Sequence, residues 1–556
     1  MRLRIVTVLA AALALSAIAA APIDAPPHPE TMGSINSADL MARTRAIADD
    51  RFQGRGPGTP AGERAALWIA EEMKRIGLKP GNEGSYFQTV PAVTIALDAA
   101  KSSFAISGPD GEKRFAFAEE AVWWTPHYDQ PDVKIDGAPL VFAGYGVVAP
   151  EENWNDYAGL DVHGKVVVVL VNDPGFLTND AALFKGRTMT YYGRWTYKFE
   201  EAARQGAAGV IIVHETEPAA YGWQVVRNSN SGGLSYLEDA DKNKAMIPLR
   251  AWITHESAQA LFRRAGVDYD QLKLAANRRG FKGAALGQLT ASAAMHSTVS
   301  RISTRNVVGV IEGNMRPDEF VLYTAHWDHL GAKPDLPGTD KIYNGAIDNG
   351  IGISSVLEIA EAFVQSDTPA RSIAILCWTL EEQGLLGSEY FAKHPLWPLK
   401  NIVAGINQDG ALPQGGARDM VIVGSGASDL EDMLAQVLRS QNRVISPDPE
   451  PEKGGFYRSD HISLAKVGVP MLYPVGGFDL RAGGTAAGLA NKKHYLEALY
   501  HQPTDEFDPG WTMSGPLDDA IVLFAFGERL AGGELWPNWS EGNEFRRIRD
   551  LSRGGN

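Results

Sequence analysis

Apolar and polar positions alternate along the chain in three textures. Over residues 37–78 the apolar residues recur at helical spacing. In 61–73, Ala65, Ala66, Ile69, Ala70 and Met73 mark one face, and Gly77 supplies the stop. A turn-rich loop at 51–58, Arg-Phe-Gln-Gly-Arg-Gly-Pro-Gly, separates this helix from the one before it. From about 131 to 286 the pattern changes to short, continuous apolar runs. Residues 140–148 and 165–171 read as strands, 197–205 as a helix and 207–213 as another strand. From 306 onward the two periods alternate. Strands are predicted at 307–311, 320–324, 372–378 and 401–407, and helices at 352–363, 430–440 and 517–530. Such alternation predicts an α/β fold, a layered sandwich around a central, parallel or mixed sheet whose functional groups gather at the carboxyl ends of strands.

These textures divide the chain into a body made of 30–125 and 300–556, interrupted by an insertion at 131–290. The length, 556 residues, agrees with more than one core. The first 21 residues form a leader: Arg2 and Arg4 are followed by an apolar run at 6–15 and by the small-residue stretch Ser16-Ala17-Ile18-Ala19. The run is short, and Pro22, Pro26 and Pro27 follow it, so a cleaved secretory signal is expected rather than a retained span. No cysteine stands at the cleavage site for a lipid anchor, and no later stretch has the length and apolarity of a membrane helix. Cys377, the single cysteine, allows no intrachain disulfide, and the expected location is periplasmic or secreted. Hydrophobic residues make up 44% and charged residues 21%, a globular balance. The net charge of -15 argues against a nucleic-acid partner, because phosphate binding calls for a surplus of Lys and Arg.

Candidate chemistry sits where predicted strands end. The strand at 320–324 runs into His326-Trp327-Asp328. A Gly-rich loop carries Asp348-Asn349-Gly350 into a helix. The strand ending at Trp378 delivers Glu381-Glu382, and the one ending near Ile406 delivers Asn407-Gln408-Asp409. His501-Gln502-Pro503-Thr504-Asp505 lies far downstream. Each motif alone has an ordinary reading: a hydrogen-bonded His–Asp pair, a solvated helix start, a turn-forming Asp, a surface His. Together they supply imidazole and carboxylate ligands without thiolate, which suits a hydrolytic zinc site with a free carboxylate as base.

The series His326-x-Asp328, Asp348-Asn349-Gly350, Glu381-Glu382, Asn407-x-Asp409 and His501-x-Pro503-Thr504-Asp505 resembles the co-catalytic zinc exopeptidases that include aminopeptidase Y and glutamate carboxypeptidase. The middle segment is similar to a protease-associated domain, through Phe142-Ala143-Gly144-Tyr145-Gly146, Gly164-Lys165-Val166 and Gly206-Ala207-Ala208-Gly209-Val210. The resemblance implies a three-layer α/β sandwich with a central mixed sheet and a β-rich insertion. It also implies two zinc ions per chain. Asp348 would bridge them, His326 and Asp409 would complete one site, and Glu382 and His501 the other. Glu381 would be the general base, and Asp328 would hold the His326 ring. Tyr457 or His461, in Gly455-Phe456-Tyr457-Arg458-Ser459-Asp460-His461, would donate to the oxyanion. The implied reaction is hydrolysis of an N-terminal peptide bond of a peptide substrate. Carboxypeptidase action, which clustered arginines such as Arg458 and Arg481 would favour, glutaminyl cyclisation and a non-catalytic binding scaffold are the alternatives. Residue preference and oligomeric state are not legible in the sequence.

Overall fold

The computed structural model describes residues 25–334 and 338–554; the expected leader lies outside them. The first body is built on a mixed sheet. Four strands, Met471–Leu472, Ile402–Asn407, Arg316–His326 and Arg371–Trp378, lie side by side in that order and run parallel. The long strand Ala284–Ile311 then pairs antiparallel with Arg371–Trp378 and with Phe87–Leu97.

Side chains alternate across these strands, because a strand's period is two. Val321, Tyr323 and Ala325 enter one core with residues of the helices Pro60–Ile76, Gly352–Gln365, Leu430–Leu438 and Ser514–Gly532. Phe320 and Leu322 enter the opposite core with Phe391, Ile462 and Leu464. Helices thus cover both faces, giving three layers. Cys377 is buried in the first of these cores and acts as a small apolar residue. On the helical side Arg43 is fully buried against Glu72, Glu358 and Glu361 and ties three helices together.

The second body has its own sheet, ordered Ala284–Ile311, Asp132–Phe142, Val166–Leu170, Gly209–Val213, Leu249–Ile253, Ala121–Trp124. Val166, Val168, Ile211 and Val213 face one core, and Val167, Val169, Val210 and Ile212 face the other. The strand Ala284–Ile311 serves both bodies. Its first half pairs with Ser103–Gly108 and Asp132–Phe142, and its second half with Phe87–Leu97 and Arg371–Trp378.

That shared strand explains where the sequence reading of the boundary falls short. Phe104, Ile106, Phe115 and Trp123, assigned from sequence to the first body, pack in the core of the second. A three-residue helical turn, Ala99–Lys101, passes the chain from one partner segment of the long strand to the next, so no break in composition marks the border.

The bodies meet along a second seam. Lys466 Nζ lies 2.8 Å from Glu200 Oε1, the Tyr191 ring packs on Tyr457 and Phe545, and Met189 N–H donates to the Pro451 carbonyl at 3.2 Å. Among the described residues no helix is long and apolar enough to cross a membrane.

Candidate active site

Three adjacent parallel strands end side by side, and each delivers ligand-type side chains at or just beyond its last residue. Arg316–His326 ends on His326, Arg371–Trp378 leads to Glu381 and Glu382, and Ile402–Asn407 leads to Asp409. Leu380, with φ 56°, occupies the left-handed region and turns the chain sharply before Glu381. The main-chain N–H groups of Glu381 and Glu382 then donate to Asp328 Oδ1 and Oδ2 at 3.1 and 3.4 Å.

Asp348 arrives from the loop before the helix Gly352–Gln365. Asp505 clamps that loop by accepting from Ile347 N–H at 2.9 Å and from Asp348 N–H at 3.0 Å. Asn349 ties it to the neighbouring strand end, donating from Nδ2 to the Gln408 carbonyl at 2.8 Å and accepting from Gly352 N–H at 3.1 Å. Gly352 cannot carry a side chain here, since a Cβ would stand 2.0 Å from Asn349 Oδ1. His501 comes in from the far C-terminal region with φ 56°, a strained conformation for a residue with a side chain.

The five expected ligands converge. Asp348 lies in the middle: its Oδ1 is 3.2 Å from His326 Nε2 and its Oδ2 is 3.3 Å from His501 Nε2. Asp409 Oδ1 is 3.5 Å from His326 Nε2, and Glu382 Oε2 is 3.1 Å from His501 Nε2. Ligand atoms of His326, Asp348 and Glu382 lie within 4.8 Å of one another, and so do those of His326, Glu381 and Asp409. The His501 side chain is 34% exposed against 8% for Asp348, so the cluster opens to one side.

His326 gives the clearest test of what belongs between these groups. Its Nδ1 faces the Asp328 carbonyl at 3.1 Å, an acceptor, so Nδ1 carries a proton. Nε2 then faces two carboxylate oxygens. Negative groups at that distance repel unless a proton or a cation lies between them. A donor set of imidazole and carboxylate without sulfur fits zinc.

The charges of the cluster are in the same conflict. Burial disfavours charge on the His326 ring, but Glu381, Asp348 and Asp409 hold its pKa well above the imidazole range. Burial opposes ionisation of Asp348 too, yet hydrogen bonds from His326 and His501 hold it well below the carboxylate range. Burial and Asp348 push Glu382 up, and His329 and His501 pull it down to about 2. Glu381 has no such partner. Burial, opposed by His326 and reinforced by Glu382, Asp409 and Asp460, raises it well above the ordinary value.

The cluster forms the floor of a cleft with a cavity of about 280 Å³. Its walls include Leu412, Val421, Val423, Val475 and Phe478, and the phenols of Tyr473 and Tyr500. Tyr500 stacks on His501 with ring centres 3.9 Å apart.

Three expected roles differ from what the structure places. It is the carbonyl of Asp328, not its carboxylate, that meets the His326 ring; the carboxylate holds the Glu381–Glu382 turn instead. Tyr457 points away toward the second body, its hydroxyl donating to Glu544 Oε1 at 3.1 Å and its ring lying against Tyr191. His461 is buried between the rings of Phe456 and Tyr473, with burial pushing it down to about 3, and it does not line the cleft.

Other residues of the site were not singled out from sequence. His329 Nδ1 pairs with Glu382 Oε1. Ser459 donates to Asp409 Oδ2 and accepts from Asn407 Nδ2. Arg55 is fully buried and donates to the carbonyls of Trp327, Asn344, Gly345 and Asp348, fixing both loops that carry ligands. His329 lies three residues after His326 and Tyr500 directly before His501, so proximity to the motifs was an available signal. Arg55 sits in a loop whose composition signals only a turn.

Residues 306–524 match the family model described as peptidase family M28. Over 504 residues the chain is 26% identical to the probable lipoprotein aminopeptidase LpqL of Mycobacterium tuberculosis (strain ATCC 25618 / H37Rv), covering 88% of this chain and 83% of that one. It is 33% identical over 121 residues to a glutamate carboxypeptidase 2 homolog of Caenorhabditis elegans, a stretch that spans 21% of this chain and 14% of the relative. Among solved structures, an aminopeptidase from Aneurinibacillus sp. strain AM-1 aligns at 19% identity with a TM-score of 0.48, over 90% of this chain and 95% of the other.

Proposed function

We propose that this protein, whose residues 306–524 match the model of peptidase family M28, is a zinc-dependent exopeptidase acting as an aminopeptidase on N-terminal peptide bonds. The observation that carries the reading is the convergence of two imidazole nitrogens on the two oxygens of Asp348, at the floor of an open cleft and beside a carboxylate that has no imidazole of its own.

His326, Asp348 and Asp409 would hold one zinc ion, and Asp348, Glu382 and His501 a second. Zinc in such a site lowers the pKa of water and polarises a carbonyl. The remaining work falls to the chain. Glu381, whose buried and acid-crowded carboxylate has a high proton affinity, takes a proton from the attacking water and passes it to the leaving amine nitrogen. Asp328 fixes the turn that aims Glu381 by holding its N–H group. Tyr500, on the cleft wall beside His501, would donate a hydrogen bond to the developing oxyanion, the part expected of Tyr457 or His461. The apolar wall accepts a hydrophobic N-terminal side chain.

Beyond the proposed zinc ligands, the cleft lining sets Glu381, Asp448 and Glu450 against Lys453, Arg458 and Lys492, and both lysines already pair with Glu450. Carboxypeptidase action would be favoured by clustered arginines. Arg458 reaches the cleft, but Arg481 pairs with Asp518 at 2.8 Å and does not line it.

The second body serves as a protease-associated domain in this reading. The Arg2/Arg4 leader and single cysteine support export to the periplasm or beyond.

Aminoacyl p-nitroanilides and N-blocked peptides, offered to the chelated and the zinc-restored protein, test the assignment. Zinc-dependent release from free N-termini alone is expected. Cleavage confined to the C-termini of N-blocked peptides would replace it with the carboxypeptidase.

A further inference from the structure

The three carboxylates proposed to meet zinc do not present their oxygens alike. Asp348 turns both toward ligand imidazoles, Oδ1 to His326 and Oδ2 to His501. Glu382 turns only Oε2 toward His501, and its Oε1 is taken by His329 Nδ1. Asp409 turns Oδ1 toward His326, and its Oδ2 is taken by the Ser459 hydroxyl. Glu382 and Asp409 therefore each have one oxygen facing the cluster and one held from behind.

Both holders are fixed by their surroundings. The His329 side chain is wholly buried, whereas that of His501 is 34% exposed. The main-chain N–H of His329 donates to the Arg55 carbonyl at 3.3 Å. Its ring lies against Gly345, where a Cβ would stand 2.6 Å from the ring Cδ2. Arg55 in turn holds Gly345, donating to its carbonyl at 2.9 Å. Among the described residues, the two groups able to enclose an ion do not include His329, so it stands behind Glu382 and is not itself a ligand. Because His329 Nδ1 faces a carboxylate oxygen, that nitrogen carries the proton. Ser459 ends a buried chain of donors. Thr324 Oγ1 donates to Asn407 Oδ1 and Asn407 Nδ2 to Ser459 Oγ, each at 2.7 Å. The Ser459 oxygen is thus already accepting, and its own proton goes to Asp409.

A catalytic zinc keeps one position open by taking three protein ligands and a water. A carboxylate free to bind through both oxygens would fill that position. We infer that His329 and Ser459 are positioning residues that restrict Glu382 and Asp409 to one ligand oxygen each. Each serves a different zinc position: His329 the one formed with Glu382 and His501, Ser459 the one formed with His326 and Asp409. The inference rests on the two-zinc reading. It separates the two positions, since each has its own support and the supports share no residue.

Zinc binding to the chelated full chain, measured by competition with a chromophoric chelator, tests it. His329→Ala should weaken one of the two zinc positions about 10–100-fold and leave the other as in the parent. His329→Gln, which fills the space but moves the amide to the place of Nε2, should do the same. His329→Asn, which keeps a donor at the place of Nδ1, should bind zinc as the parent does. Ser459→Ala should weaken the other position. In a His501→Ala background only the His326–Asp409 position is left to bind tightly. There His329→Ala should change nothing further, while Ser459→Ala should weaken what remains. Equal weakening of both positions by His329→Ala, parent-like binding in both His329→Ala and His329→Gln, or failure of His329→Asn to keep the affinity would overturn the inference. Fewer than two tightly bound zinc ions in the unsubstituted protein would instead overturn the two-zinc reading on which it rests.

Discussion

Both bodies present parallel strands whose carboxyl ends carry acids and imidazoles, yet only one gathers a candidate metal centre. In the second body Val166–Leu170 leads to Asn172 and Asp173, and Gly209–Val213 leads to His214 and Glu215. Local donors and acceptors engage these groups. Asp173 Oδ2 accepts from Thr190 N–H at 2.8 Å and from its hydroxyl at 2.6 Å. His214 Nε2 meets the Tyr221 carbonyl at 3.0 Å, and Glu215 takes the Tyr269 hydroxyl and the Lys273 ammonium. In the first body the equivalent strand ends deliver Glu381, Asp409 and His326, and Asp348 joins them with both oxygens aimed at imidazole nitrogens. Among the described residues, both potential metal-holding groups lie there. A strand end supplies the place; carboxylates gathered around shared imidazoles supply the chemistry.

Substitutions can break this contrast, and the largest effect is expected at the base. Glu381→Gln should lower kcat by about 10²–10⁴-fold while zinc content and thermal unfolding stay near those of the parent. Loss of zinc together with activity would make Glu381 a ligand instead. Tyr500→Phe should cost roughly 10²–10³-fold in kcat with little change in KM, as removal of one oxyanion donor does. A normal kcat would move that role to Tyr473. Asp328→Asn, which leaves a side chain of the same shape but replaces one acceptor by a donor facing an N–H group, should lower activity or zinc affinity about 10–100-fold. Competition with a chromophoric chelator would read the affinity directly. In the second body Asp173→Ala should leave kcat unchanged but lower unfolding stability by roughly 1–3 kcal/mol, since the Thr190 donors lose their buried acceptor. Lost activity with unchanged stability would remove the distinction between the bodies.

Much of this arrangement was legible in the residue order. The strands around His326, Cys377 and Ile406 declared themselves through continuous apolar runs, and the helix from Gly352 through its period. His326, Glu382 and Asp409 were legible because they stand at or just beyond such runs, whereas Asp348 and His501 were legible only through the order of the motifs. The failures have a common cause. The roles of Asp328, Tyr457 and His461 came from the family resemblance, but orientation depends on backbone turns set by distant partners. Main-chain groups of Glu381 and Glu382 take the Asp328 carboxylate, and Glu544 and Tyr191 draw Tyr457 outward. The border of the second body was hidden because Ala284–Ile311 belongs to both sheets, and strand signals continue unbroken across it. Arg55 was hidden because burial of a loop arginine follows from the carbonyls that surround it, which are remote in sequence.

The central proposal is that Asp348 would serve two zinc positions, one with His326 and Asp409 and one with Glu382 and His501. Calorimetric titration of the chelated protein with zinc, beside Asp348→Ala, tests it most directly. The account predicts two zinc ions per chain for the parent and loss of tight binding at both positions in the variant. Undiminished zinc binding by Asp348→Ala, or no tight binding by the parent, would contradict it.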